Sequence, residues 1–195
     1  MSGMKSLTVR TFTYAKYCEM TRIETHPFEP FVPPKATVLI IGSFPGRDIT
    51  QRNDATGTWF YGTSRNEFWD IISSVYGTEL KTTKEKKQLF NKAGIAIADI
   101  FLTVRRRREN NSDTDLEVIT YNEKALRKIL AACSFKYIFF TSKFVEKHFL
   151  KIFPAITDGE CLPSPSPRYA RMSKQQKIAY YKNKLPALGH SEQLQ

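Results

Sequence analysis

The sequence predicts an α/β fold, a three-layer α/β/α sandwich around a short sheet of about four parallel strands. Short apolar runs alternate along the chain with segments whose apolar residues have the helical period. Strands separated by helices pair in parallel through right-handed crossovers. No Gly/Ser-rich linker divides the 195 residues. We therefore expect one domain over residues 36–195, preceded by an N-terminal arm over residues 1–35.

The strands are predicted from continuous apolar runs, which are typical of strands buried on both faces. They cover residues 38–41, 95–98 and 137–140, and a weaker strand falls within 155–161. Four prolines within residues 26–34 favour an extended arm laid over the surface. Residues 103–119 are polar and basic, which predicts a long loop.

The helices are predicted from apolar spacing and capping signals. Residues 65–76 place apolar side chains at i, i+3, i+4 and i+7. Thr-x-x-Glu at Thr82 and Ser-x-x-Gln at Ser173 are capping boxes that each begin a helix, and the first of these helices ends at Gly94. Two further helices are expected over residues 121–132 and 143–152.

The composition favours an anionic partner. Thirty Lys and Arg against nineteen Asp and Glu give a formal net charge of +11 and a pI of about 9.6. The three cysteines and three histidines match neither a disulfide frame nor a metal-ligand motif, so we expect no metal, no cofactor and a reduced cytoplasmic environment. No apolar run approaches the roughly 20 residues that span a bilayer, so no membrane partner is expected.

Three segments are candidates for the site, because ligands of such sheets bind beyond the carboxyl ends of the strands. In the first, Gly42-Ser43-Phe44-Pro45-Gly46, the turn can press backbone N–H groups against a ligand, or it is an ordinary βα turn.

The second segment is residues 61–69. Asn66 falls in the first turn of a helix, and its carboxamide can both donate and accept; the alternative is a helix cap. Tyr61 can stack on a flat ring, while Phe68 and Trp69 are expected in the core.

The third segment is residues 162–169, where prolines alternate with serines before Arg168. A stiff chain with free hydroxyls suits phosphate contact and entry into a duplex, and a Pro-rich solvent loop is the alternative.

In this order, the three segments resemble the uracil-DNA glycosylase superfamily, and the hypoxanthine-DNA glycosylase branch is the most similar. That branch shares Gly-Ser-(Phe/Met)-Pro-Gly, Arg-Asn-x-Phe-Trp, Gly-Ile-x-x-x-Asp and Leu-Pro-Ser-x-Ser-Pro, matched here at residues 42–46, 65–69, 94–99 and 162–167. The likeness spans about residues 26–185. Efficient uracil enzymes carry an Asp at the position of Phe44 and a His at that of Leu162, so the resemblance does not imply strong uracil activity.

The resemblance implies a role for each segment. Asn66 would be the catalytic residue, positioning the leaving group or water, and Tyr61 would stack on the flipped base. Gly42, Ser43, Phe44, Pro45 and Gly46 would cradle the base edge. Phosphate contact and the wedge would fall to Ser164, Pro165, Ser166 and Arg168. Asp48 and Asp99 follow predicted strand ends and are candidates for an auxiliary acid.

We expect a monofunctional DNA glycosylase that removes hypoxanthine, with uracil and xanthine as further candidates, because no lysine stands out as a Schiff-base nucleophile. DNA with deaminated bases is the expected partner. The protein is expected to be a monomer in the cytoplasm, associated with the nucleoid in a bacterium. A binding protein without catalysis and an enzyme of free nucleosides or nucleotides are the alternatives. Arg105 to Arg108 form either a solvated run or a DNA backbone contact.

Overall fold

The computed structural model describes residues 22–51 and 58–188, so residues 1–21 of the predicted arm lie outside the described residues. The strands are β1 (Ile23–Thr25), β2 (Val38–Gly42), β3 (Ile95–Asp99), β4 (Phe101–Arg106), β5 (Leu116–Tyr121), β6 (Tyr137–Phe140) and β7 (Glu160–Cys161). The helices are α1 (Arg47–Thr50), α2 (Phe68–Tyr76), α3 (Thr83–Ala93), α4 (Glu123–Ala132), α5 (Lys143–Ile152) and α6 (Lys174–Lys184). A 3₁₀ turn covers Asp113–Asp115.

A four-stranded parallel sheet with the order β3-β2-β6-β7 forms the centre of the molecule. All five residues of β2 are buried, as expected for a central strand covered on both faces. In the register Gly42 lies opposite Asp99, and Ile41 lies opposite Phe140. The carboxyl ends of the strands therefore meet at one edge. This sheet, flanked by helices, confirms the predicted fold class.

The two faces of the sheet bury separate apolar clusters, because alternate side chains of a strand point to opposite faces. Val38 and Ile40 of β2 belong to a cluster that includes residues of α2, α3 and α6. Leu39 and Ile41 belong to another that includes residues of α4 and α5. The expected core residues Phe68 and Trp69 are both buried in the first cluster.

A second, antiparallel sheet with the order β1-β4-β5 corrects the prediction of a loop over residues 103–119. Only residues 107–115 separate its two long strands. The apolar alternation of β4 is broken by a register irregularity near Thr103 and by a buried arginine, Arg106. The pattern of β4 is therefore irregular, and pairing with distant strands stabilises it. β5 does carry a strand signal in Val118, Ile119 and Thr120, which the polar and basic character of the whole segment outweighed in the prediction.

The proline-rich segment before β2 packs into the domain. Phe31 and Ile97 exchange backbone hydrogen bonds of 2.9 Å at the outer edge of β3. The side chain of His26 is only 1% exposed, so the expectation of an arm on the surface is wrong at this residue. The division of the chain at residue 35 stays a prediction.

The predicted helix signals are present in the structure. Thr82 with Glu85 and Ser173 with Gln176 both form complete capping boxes. Gly94 ends α3 in the left-handed conformation, with φ of +64°. In the described parts of the chain, none of the helices has the length and apolar character needed to cross a bilayer.

Replacing Gly94 by alanine should destabilise the fold more than the same change at Gly77, which ends α2 with φ of +62°. A left-handed alanine costs roughly 1–2 kcal/mol at either position. At Gly94 the new Cβ would lie 2.8 Å from the Lys35 carbonyl oxygen, whereas nothing lies within 4 Å at Gly77. Overpacking should add about 1–3 kcal/mol at Gly94. Urea unfolding measures both losses, and equal losses would contradict the packing argument.

Candidate functional site

Three strand ends and the second segment converge on Gly42. A Cβ built on Gly42 would overlap both Asp99 Oδ1, at the end of β3, and the hydroxyl of Tyr61. That hydroxyl donates to Thr141 Oγ1, just beyond β6, over 3.0 Å. The missing side chain of Gly42 therefore lets a carboxylate and a phenol share one small space at the sheet edge.

One carboxylate oxygen of Asp99 is hydrogen-bonded and the other is not. Asp99 is 5% exposed, and its Oδ2 lies 2.9 Å from Nε2 of His26. Oδ1 is buried and has no hydrogen-bond partner among the described residues. A buried acceptor without a partner is costly, so such an atom is typical of a place that a ligand completes.

His26 holds Asp99 from a segment that no sequence pattern connected with it. Its Nδ1 lies 2.8 Å from the carbonyl oxygen and 3.1 Å from the amide nitrogen of Phe28. A neutral ring protonated at Nε2 donates to Asp99 and accepts at Nδ1 from the Phe28 N–H, while a doubly protonated ring donates at both nitrogens. The ring also packs edge-on against Phe44. Hydrogen bonds at both ring nitrogens and the contact with Phe44 thus fix the orientation of His26.

Tyr61 is held in a left-handed conformation, with φ of +57°. Its ring stacks on Phe68, with centroids 4.3 Å apart and an interplanar angle of 24°. Burial, together with the charge of Asp99, raises the pKa of Tyr61 well above its ordinary value, so the hydroxyl remains a proton donor. Since Phe68 covers one face of the ring, only the opposite face can stack on a base.

The first segment leaves backbone donors at the strand end. The carbonyl oxygens of Gly42 and Ser43 accept from the N–H groups of Ile100 and Phe101, at 2.9 and 3.2 Å. The N–H groups of Ser43 and Phe44 donate to none of the described residues. These free donors are what the predicted cradle requires, and the cradle stays a prediction.

Arg106 supports the first segment from below. Its Nε lies 3.1 Å from both carboxylate oxygens of Glu24, and Nη2 donates to the Pro45 carbonyl oxygen over 2.7 Å. Both side chains are buried, so neither alternative given for Arg105 to Arg108, a solvated run or a DNA backbone contact, holds for Arg106. Arg107 and Arg108 are exposed, and Arg105 is half-buried, with its Nη1 3.3 Å from a carboxylate oxygen of Glu117.

Asn66 lies two residues before α2 and not in its first turn, which corrects the predicted helix start. Its Oδ1 accepts from the Phe68 N–H over 2.9 Å in an Asx-type turn, while the N-cap position is Glu67, so Asn66 is not the helix cap. Because a backbone N–H can only donate, this bond also identifies which amide atom is the oxygen. Nδ2 donates to none of the described residues, so Asn66 retains a donor for a ligand.

The third segment lies beside the second. The Glu67 N–H donates to the Pro165 carbonyl oxygen over 3.0 Å. Lys177 of α6, with a side chain 2% exposed, bonds to Glu67 Oε2 at 2.7 Å and to the Ser166 carbonyl oxygen at 3.1 Å. At the other end of the second segment, a Cβ on Gly46 would overlap Thr63. Residues 63–67 therefore contact the first segment through Thr63 and the third segment through Glu67, and Asn66 lies between these two contacts.

The tip of the third segment is a turn, although its alternating prolines predict a stiff, extended chain. Ser164 Oγ accepts from the Ser166 N–H, and Ser166 Oγ accepts from the Arg168 N–H, each over 3.3 Å. Pro165 is buried, whereas Arg168 is exposed beyond it. The serine hydroxyls keep their own protons for donation.

The two candidate acids differ in position. Asp99 lies inside the site, whereas Asp48 is exposed on the short helix α1. Sequence reasoning missed four residues that the structure adds to the site: His26, Asp113, Thr141 and Lys177. Each acts through a partner distant along the chain, so no spacing pattern could have identified it.

These features are accompanied by a family match. The chain belongs to the uracil DNA glycosylase superfamily, whose family model matches residues 29–188. A curated relative, "Hypoxanthine DNA glycosylase" of Methanosarcina barkeri (strain Fusaro / DSM 804), is 28% identical over 118 residues, which are 60% of this chain and 70% of the relative. A solution NMR structure from Methanosarcina acetivorans, described as a candidate uracil DNA glycosylase, shares the fold at 20% identity. The TM-score is 0.60, and the match covers 83% of this chain and 98% of the Methanosarcina acetivorans chain.

Replacing Lys177 by methionine should loosen the contact between the second and third segments. Hydrogen bonds to charged groups contribute about 1.5–3 kcal/mol, and we expect a loss near the lower end because Glu67 keeps some solvent. Lys174→Met is the matched control on the same helix, since its pair with Asp70 is exposed and worth about 0–1 kcal/mol. Chemical unfolding compares them, and a control loss as large as that of Lys177→Met would refute the positioning role.

Proposed function

We propose that the protein is a monofunctional DNA glycosylase that hydrolyses the N-glycosidic bond of deaminated bases, hypoxanthine first, and so begins base excision repair. The observation that carries the proposal is the buried, unpartnered oxygen of Asp99 beneath the glycine turn. The family match and the name of the Methanosarcina barkeri relative support it.

The depth of this site requires the base to leave the duplex. Asp99 and the hydroxyl of Tyr61 lie at the ends of central strands, where a stacked base cannot reach them. Flipping a nucleotide costs a few kcal/mol, and a poorly paired base reduces that cost. Deaminated bases pair poorly, so extrusion itself favours them over normal bases.

Asp99 offers a chemical test for deamination. Deamination turns a ring nitrogen of adenine or cytosine from an acceptor into an N–H donor, as in hypoxanthine and uracil. Oδ1 of Asp99 accepts from such an N–H, and it repels the lone pair that the parent base, adenine or cytosine, carries at that position. His26 holds the other oxygen, so the acceptor keeps its direction. In this role Asp99 reads the base, which differs from the auxiliary acid that the sequence suggested.

The donors around the site suit the leaving base. Breaking the glycosidic bond leaves negative charge on the base, and fixed donors stabilise that charge. Nδ2 of Asn66 and the N–H groups of Ser43 and Phe44 make no bonds to the described residues. We assign to them the stabilisation of the departing base anion.

Exposed arginines on the neighbouring loops suit the DNA backbone. They occur on the second segment, on the loop between β4 and β5, in the third segment and just beyond it: Arg65, Arg107, Arg108, Arg168 and Arg171. Phosphate contacts of this kind release counterions, so binding should weaken steeply as salt rises.

Changing Asn66 should separate catalysis from folding. Asn66→Asp retains the oxygen that accepts from the Phe68 N–H and removes the amide donor. Losing one such donor commonly costs about 10²–10³-fold in rate, so single-turnover release of hypoxanthine should fall by this amount while duplex binding persists. Asn66→Ala should lose the hydrogen bond to the Phe68 N–H as well, at about 0.5–1.5 kcal/mol. Unchanged release by Asn66→Asp would remove the amide from the mechanism.

A panel of duplex oligonucleotides containing inosine, uracil, xanthine or only normal bases tests the proposed function directly. We expect alkali-labile abasic sites in the inosine duplex and none in the normal duplex. Binding without release from any deaminated base would favour a binding protein that lacks catalysis. Hydrolysis of free deoxyinosine, with none of the duplex, would favour the nucleoside enzyme.

A further inference from the structure

A second carboxylate reaches the first segment from a distant loop. Ser43 Oγ donates to Asp113 Oδ1 over 2.7 Å, although the two residues are 70 positions apart. Asp113 begins the 3₁₀ turn between β4 and β5. The next side chain of the first segment, Phe44, is apolar and buried. Asp113 therefore supplies a proton acceptor that the first segment itself lacks beside Ser43.

Asp113 is the more exposed of the two carboxylates. Asp99 uses Oδ2 to bind His26, and its Oδ1, beside Gly42, is the atom assigned to the base. Asp113 is partly exposed, and its Oδ2 bonds to none of the described residues. The hydrogen bond from Ser43 fixes one oxygen and leaves the other free to accept, which is the arrangement a general base requires.

The titratable groups that face Asp113 come from three other elements. They are Asp99 at the end of β3, which is paired with His26, Arg106 at the end of β4, and the uncharged hydroxyl of Tyr61, which precedes α2. Burial raises the pKa of Asp113; the bond from Ser43 lowers it, Asp99 raises it and Arg106 lowers it, and the net shift is upward. On its own loop, Asp115 is bound by Asn110 and Arg108.

From this geometry we infer that Asp113 is the general base that activates the attacking water. This role rests on the proposed function. The water oxygen bonds to the anomeric carbon of the sugar, and the carbon–nitrogen bond breaks with its electron pair going to the base. A proton of the water passes to Asp113 Oδ2. The departing base anion then takes up a proton, from Asp113 or from solvent, which balances the reaction.

The role has a definite pH signature. The carboxyl must be unprotonated to accept, so the single-turnover rate should rise with pH through the raised pKa of Asp113 and become level above it. Asp113→Asn retains an oxygen for Ser43 but cannot take the proton. It should lose about 10²–10⁴-fold in rate and lose the rise with pH.

Ser43→Ala tests the pH dependence of the rate, which would not shift if Asp113 had only a structural role. The serine bond lowers the pKa of Asp113, so its removal should shift the rise in rate towards higher pH. Asp115→Asn is the matched control on the same turn, and its rate and pH profile should equal those of the wild-type protein. Unfolding midpoints of all variants establish that each is folded.

The experiment measures release of hypoxanthine from an inosine-containing duplex by excess protein, across the acidic to neutral range. A pH-independent, slow Asp113→Asn together with a shifted Ser43→Ala profile supports the assignment. A wild-type rate and profile in Asp113→Asn overturns the assignment and leaves the proposed function standing. If the wild-type protein releases no base from any deaminated duplex, the proposed function and this role fail together.

Discussion

The site depends on the absence of a side chain at Gly42. The parallel register sets this residue beside Asp99, and a Cβ there would overlap both Asp99 Oδ1 and the hydroxyl of Tyr61. Because the space is open, the strand end can receive a carboxylate from one side and a phenol from the other. His26 then orients the carboxylate, and Thr141 orients the phenol. The polar geometry of the site follows from this close approach.

Two buried cations hold the first and third segments in place on either side of the site. Arg106 joins the carboxylate of Glu24 to the Pro45 carbonyl oxygen, and Lys177 joins the carboxylate of Glu67 to the Ser166 carbonyl oxygen. A buried cation without its partners would be unfavourable, so each pair is tied to one loop position. The two cations therefore specify where the loops lie, which a site built from loop residues requires.

The polar groups of the site divide into acceptors and donors. The acceptors are the carboxylates of Asp99 and Asp113, which come from different elements and have different exposure. The donors are the amide of Asn66 and backbone N–H groups of the first segment. Under the proposed function, the ring N–H of hypoxanthine or uracil meets an acceptor and its carbonyl oxygen meets a donor, whereas the parent bases adenine and cytosine carry a lone pair in place of that N–H.

The sequence by itself determined the features that depend on neighbouring residues: the buried strands, the capping boxes, the glycine turn and the α/β class. Each leaves a local pattern, because backbone conformation and burial are set within a few residues. Only the tertiary structure decided the second sheet and the pairing of His26 with Asp99, Ser43 with Asp113 and Lys177 with Glu67. These partners lie 73, 70 and 110 positions apart. Contacts between such distant residues arise when the elements pack, and one sequence holds no periodic trace of them.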